Sequence, residues 1–170
     1  MKKNLADITS DKLVKAFLKN KIISSIPNKF SKKLEIANKF RRLCEGKINE
    51  PVIGFKVGGT ALPMMKKLKE KEPFYASIYK RNFLKSGKKV LINKATQGIE
   101  LEVCYLIKKK FFNLKGIITK KNISRFISHI APCIEIVGYR QRKKGIKSFG
   151  DLSSDFGANV KFLIGKKKKN

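Results

Sequence analysis

The run Gly98-Ile-Glu-Leu-Glu-Val-Cys-Tyr-Leu-Ile107 constrains the chain more than any other segment. Apolar and polar residues alternate through its first half, and a period of two is that of an extended strand, whose successive side chains point to opposite faces. Glu100 and Glu102 therefore share one side. Two carboxylates on one face repel unless a cation or a shared proton lies between them. They stand out further because the 170 residues hold only 12 acidic groups against 41 basic ones. A third carboxylate, Glu135, sits in a second apolar run, Ala131-Pro-Cys-Ile-Glu-Ile-Val137. Three such groups suggest an oxygen-ligand site for Mg²⁺ or Mn²⁺. The same alternation also describes the solvated face of an amphipathic strand, and spacing does not separate the two readings.

A chain of this length fits one domain with a real core. We expect a single domain over 1–165, helical in 1–50 and β-rich in 51–165, with a basic tail at 166–170. The formal charge of +29 attracts polyanions. Lysines greatly outnumber arginines and are spread along the whole chain, whereas base and phosphate recognition favours the bidentate arginine fork. Nucleic-acid contact is therefore expected to be incidental. Cys44, Cys104 and Cys133 are widely spaced in apolar stretches, as reduced core thiols of a cytoplasmic protein are. No secretory leader and no membrane-spanning run is visible.

Thr9-Ser10-Asp11 offers N-cap residues before Leu13, Ala16, Phe17 and Ile22, and a second helix is expected from about Ser31 to Gly46. Val52–Val57 reads as a strand and Ala61–Leu68 as a short helix with Pro63 in its first turn. Glu72–Tyr79 reads as loop and short strand; Val90–Ile92 and Glu100–Ile107 read as strands. Thr119–Ile130 carries Ile123, Phe126, Ile127 and Ile130 at helical spacing and is expected to be a crossover helix ended by Pro132. Ile134–Val137 and Val160–Ile164 are further strands, Gly138–Gly150 a basic loop, and Lys166–Lys169 a disordered tail. Helices first and strands later predict an α+β fold.

Lys56, within Gly54-Phe-Lys-Val-Gly58-Gly59, is either exposed on the outer pleat or held in a pocket, where it could polarise a carbonyl or transfer a proton. His129, the sole histidine, reads as a helix-end residue. Arg140 is a carboxylate clamp or a surface cation. Asp155 is a turn residue or a hydrogen-bond partner for a ligand. Phe74 and Tyr75 are core or pocket wall.

Taken in order, Gly54-Phe-Lys-Val-Gly58, Glu72-Pro-Phe-Tyr75, Ile99-Glu-Leu-Glu-Val103, Pro132-Cys-Ile-Glu-Ile-Val137 with Arg140, and Asp155-x-x-x-Asn159 before Phe162-Leu-Ile-Gly165 resemble the 2-keto-4-pentenoate hydratase family. That family lies within the wider fumarylacetoacetate hydrolase superfamily. The resemblance implies N-terminal helices on a mixed, mainly β roll, and a role in aromatic compound catabolism. It implies that Glu100, Glu102 and Glu135 bind a divalent cation, which chelates a short 2-oxo acid. It places Lys56 near the substrate as proton donor or electrostatic partner, with Arg140 and Asp155 as substrate-binding residues.

Three departures accompany it. Gly138-Tyr139-Arg140 stands where the family usually has Asp-Ser-Arg, Phe156 replaces an Asn, and Val160 replaces a Gly. The chain also ends in Lys-Lys-Lys-Lys-Asn where family members continue with a C-terminal third, so a truncated gene product is one expectation. The first functional expectation is a metal-dependent hydratase-like lyase. A superfamily decarboxylase or C–C hydrolase is the near alternative, and a non-catalytic basic nucleic-acid-binding protein the distant one. Open strands would be covered in a homo-oligomer or by a completing partner chain.

Overall fold

The computed structural model describes residues 3–141 and 145–170. The first helix, α1, runs Leu5–Lys19 and begins earlier than its Thr-Ser pair suggests. Asn4 is the cap, its side-chain oxygen accepting from the Asp7 amide at 2.9 Å. Thr9 and Ser10 lie inside the helix, where their hydroxyls donate back to the carbonyls of Leu5 (2.7 Å) and Asp7 (2.9 Å). The second helix, α2 (Leu34–Glu45), buries Ala37, Phe40 and Cys44, one apolar stripe at spacings of three and four. Leu13, Val14 and Phe17 of α1 meet Phe40 and Cys44 in a core closed by Tyr79 and Phe156. Burial pushes the Cys44 thiol up to about 12, which makes it an inert packing group.

Strand β1 (Val52–Gly58) pairs antiparallel with β2 (Phe74–Tyr79), and α3 (Leu62–Leu68) bridges them with Pro63 in its first turn. A second, mixed sheet has β3 (Phe83–Leu84) at one side, then β6 (Asn159–Ile164), β5 (Ile127–Gly138) and β4 (Thr96–Ile107). Among the described residues, only β3 and β6 run parallel. A short helix, α4 (Phe149–Ser154), packs on α2. The expected α+β architecture is the one present. Among the described residues no helix is long and apolar enough to cross a membrane.

Several local expectations are corrected. The segment 119–130 is not a crossover helix: it forms one 3-10 turn, Ile123–Phe126, and then enters β5. Ile127 and Ile130 pair with Ile107 and Tyr105, so cross-strand packing of β-branched and aromatic residues overrides helical spacing. His129 accordingly lies in a strand opposite Leu106, not at a helix end. Pro132 interrupts nothing. Its carbonyl accepts from the Gly165 amide at 2.9 Å, so its missing N–H faces the end of β6 and leaves the ladder to β4 intact. Val90–Ile92 is irregular, with Leu91 and Ile92 exposed and no strand beside them. The expected loop Gly138–Gly150 holds the start of α4, and its residues 142–144 lie outside the described residues. Lys168–Lys169 forms a two-residue strand, β7, against His129 and Ile130 of β5 instead of a free tail.

Candidate metal centre

The antiparallel register of β4 and β5 sets Glu100 opposite Glu135 and Glu102 opposite Cys133. Directly opposed residues share a sheet face, and so do residues two apart, so all three carboxylates project to one side. Each offers an oxygen, and these oxygens lie within 4.8 Å of one another. Glu135 is buried at 1% exposure, whereas Glu100 and Glu102 are exposed. The donor set is hard and anionic, with room left on the exposed side, which fits an Mg²⁺-class cation that keeps several positions for water or substrate.

One counter-charge is already built in. Lys56, 9% exposed on β1, reaches across to place Nζ 2.6 Å from Glu135 Oε1. Burial pushes the Glu135 carboxyl up to about 7, the Lys56 ammonium pulls it back, and Glu100 and Glu102 add to the rise. A divalent ion together with the Lys56 ammonium would neutralise the three carboxylates.

Local packing explains how Lys56 gets there. Its cross-strand neighbour is Ala76, a small residue. The turn Phe156–Ala158 passes close to both, since a Cβ on Gly157 would sit 2.7 Å from the Ala76 Cβ and 3.2 Å from the Lys56 Cδ. Phe156, Gly157 and Ala158 all hold left-handed backbone (φ 53°, 68° and 60°), a conformation that non-glycine residues keep only when their surroundings enforce it. Phe156 is held by stacking on Phe17, centroids 4.2 Å apart.

Arg140 and Asp155 hold the other end of that turn. Arg140 Nη1 donates to Asp155 Oδ1 at 2.9 Å, the Arg140 amide donates to Oδ2 at 2.6 Å, and Nη2 donates to the Asn159 carbonyl. Both side chains are buried, and the Arg140 guanidinium also lies 5.0 Å from the Phe17 ring centroid. They do not line the cleft beside the carboxylates. Of the residues singled out in the sequence, the structure brings together Glu100, Glu102, Glu135 and Lys56, and it joins Arg140 to Asp155 separately.

The cleft over the carboxylates has a volume of about 350 Å³ and is bounded by Lys56, Gly58–Ala61, Met64 and β4 at Glu100–Glu102. Gly58 and Gly59 permit close packing there: a Cβ on either would strike the ring of Phe74 or Phe149, at 2.4 Å and 2.3 Å. Phe74 is therefore core behind the cleft, while Tyr75 is half exposed with Arg41 4.6 Å from its ring centroid. Sequence reasoning missed Thr60 and Met64 as cleft walls and Gly157 as the residue that seats Lys56. The Phe-Gly-Ala stretch carried a turn signal for the last of these.

No protein-family model matches the sequence, and no curated protein matches it. Solved structures do. The chain superposes on 4-oxalocrotonate decarboxylase from Pseudomonas putida G7 complexed with magnesium and adipate with a TM-score of 0.78 and 19% identity, covering 96% of this chain and 64% of that one. For the same enzyme complexed with calcium and acetate the values are 0.77 and 18%, covering 99% and 65%. The likeness shows a shared fold, and it is the fold that the resemblance to the hydratase family and its superfamily implied. The chain spans slightly under two-thirds of the length of these neighbours.

Proposed function

We propose that Glu100, Glu102 and Glu135 hold a divalent cation and that the chain, with Lys56, acts as a lyase on a short 2-oxo acid. The observation that carries this reading is the convergence of three carboxylates from two paired strands beside one buried lysine. Mg²⁺ is the favoured ion, since the fold neighbours are complexed with magnesium or calcium; Mn²⁺ shares the same ligand chemistry. When bound, the cation would supply Lewis acidity to the substrate's 2-oxo oxygen and adjoining carboxylate as negative charge develops there.

The chain's own residues do the remaining work. Glu135 anchors the site from its buried side and orients Lys56. Lys56 holds a proton at Nζ on the cleft floor, within reach of a substrate carbon that gains an electron pair. Met64 and Ala61 form apolar parts of the cleft's lining. In this reading Arg140 and Asp155 act indirectly, by fixing the turn that presses Lys56 toward Glu135.

Decarboxylation is the reaction we favour, because the fold neighbours carry that name. Loss of CO₂ leaves the C–C electron pair on the conjugated framework, delocalised toward the 2-oxo oxygen, and a proton from Lys56 completes the exchange. Water addition to a 2-hydroxy-dienoate is the second reading, favoured by the order of motifs along the chain. The three free cysteines suit a cytoplasmic setting.

Calorimetric titration with Mg²⁺ tests the site directly. Wild-type protein should bind and Glu102→Ala should bind far more weakly; absence of wild-type binding at millimolar Mg²⁺ rejects the ligand assignment. Turnover assays with oxalocrotonate, a 2-hydroxy-dienoate and an acylpyruvate then separate CO₂ release, hydration and C–C hydrolysis.

A further inference from the structure

The end of the second sheet where β4 stops and β5 begins gathers positive charge with nothing to offset it. Residues 108–126 connect the two strands, whose last pair is Ile107 with Ile127. Lys108 Nζ donates to the Arg125 carbonyl at 3.0 Å, which ties the start of the connection to its end. The C-terminal lysines come to the same place. Lys168 and Lys169 pair with Ile130 and His129, and Asn170 donates from its backbone amide to the Ser128 carbonyl at 3.1 Å and from its side chain to the Ser124 carbonyl at 3.2 Å. Seven Lys or Arg between 108 and 125 thereby adjoin the four of Lys166–Lys169. None of the chain's 12 acidic residues lies in 103–134 or 156–170. Among the described residues none of these eleven cations enters an ion pair.

Bulky apolar side chains stand among these cations. The connection has its own small core, Phe111 against Phe126 with centroids 5.8 Å apart, and Phe112 and Ile117 remain outside it at 75% and 85% exposure. Leu114 and Ile123 are exposed as well. The charge selects an anionic partner, and the apolar residues select its kind. Nucleic acid is gripped by arginine forks and stacked on aromatic rings, whereas ten of the eleven cations are lysines and three of the four exposed apolar residues are aliphatic. A folded acidic polypeptide needs a complementary face, whereas these apolar tips stand singly on 3-10 turns and irregular chain. A bilayer makes no such demand: its headgroups meet lysines at any spacing, and its acyl layer takes up single apolar side chains. We propose that this end of the sheet docks on an anionic phospholipid surface, with Lys109, Lys110 and the Lys166–Lys169 stretch at the headgroups and Phe112 and Ile117 inserted between them. Glu102 lies six residues before Lys108, roughly 20 Å at the rise of a strand, so docking leaves the metal cleft clear.

Sedimentation of the full chain with sucrose-loaded vesicles, at about 0.15 M salt, tests this. Vesicles of phosphatidylcholine and phosphatidylglycerol at about 2:1 should bind it about tenfold more tightly than phosphatidylcholine alone; equal binding or none overturns the proposal. Lys109→Glu combined with Lys110→Glu should weaken binding by about tenfold or more. The same change of charge on α1, Lys12→Glu with Lys15→Glu, should weaken it by no more than about threefold. An equal loss in the two pairs means that the charge of the whole chain is responsible, and overturns the proposal. Phe112→Ser combined with Ile117→Ser leaves the charge unchanged and should still weaken binding by about fivefold; no loss there overturns it too. Tighter binding of single-stranded oligouridylate or of poly-glutamate than of the mixed vesicles assigns this end to nucleic acid or to an acidic polypeptide instead.

Discussion

Lys56 Nζ and Glu135 Oε1 meet at 2.6 Å in the buried gap between the two sheets, and each arrives from a different sheet. The pair ties β1 to β5 and sets one charge of each sign where little water reaches. Removing either partner leaves the other without compensation.

Lys56→Met should therefore destabilise the metal-free protein, by ~3 kcal/mol at pH 8 in urea unfolding. Glu135 can relieve its own isolation by taking a proton, and without the lysine it does so at higher pH. The loss should shrink as pH falls toward 7, by ~1.4 kcal/mol for each pH unit over which the variant's carboxyl is protonated and the wild type's is not, and level off below 7. A loss that is equal at pH 6 and pH 8 would mean that the ammonium does not act through Glu135.

Metal affinity should rise with pH. The Glu135 carboxyl is held up at about 7 without metal, so below that value a cation must displace its proton, and above it none is displaced. Mg²⁺ association measured by calorimetry should increase ~10-fold per pH unit below 7 and level off above it. A flat profile between pH 5.5 and 8 would remove Glu135 from the ligand set.

Glu100→Ala and Glu102→Ala should each weaken Mg²⁺ by ~100-fold while leaving unfolding within ~0.5 kcal/mol of wild type, because both side chains are exposed. Glu135→Ala differs: it removes a ligand and strands Lys56, so it should lower both readings.

Gly157→Ala should cost about 1 kcal/mol for the left-handed backbone alone, since φ is 68° there. Its Cβ would also crowd Ala76 and the Lys56 stem, so turnover with the favoured substrate should fall further than unfolding stability does. Asp155→Ala, which strands the buried Arg140, should be the more damaging change to folding, by ~3 kcal/mol or more.

The carboxylate face was readable because strand alternation is a local property: Glu100 and Glu102 share a side whatever the rest of the chain does. Joining them to Glu135 required the register of β4 on β5, which the sequence implies only through a family resemblance. The reading of 119–130 as a helix failed because four apolar residues at spacings of three, one and three also serve a turn followed by a strand, and the partner strand decides between them. Pro132 misled for a related reason. Its effect depends on which neighbour its missing N–H would have faced, and that is set by where β6 ends. Arg140 and Asp155 were legible as important but not as a buried pair, since burial of two opposite charges depends on contacts fifteen residues apart in sequence. The early start of α1 rested on Asn4, a cap whose signal was overshadowed by the better-looking Thr-Ser pair.

In β4, carboxylates and large apolar groups occupy alternate positions of one backbone. A substitution alters one face or the other, but an insertion or deletion of a single residue between Glu100 and Glu102 would put the two carboxylates on opposite faces and carry apolar residues beyond it into the cleft. A two-residue insertion would restore the sides. The heritable changes open to this strand are therefore restricted by parity: its length can drift in pairs, and any odd step abolishes the metal site and the apolar face together.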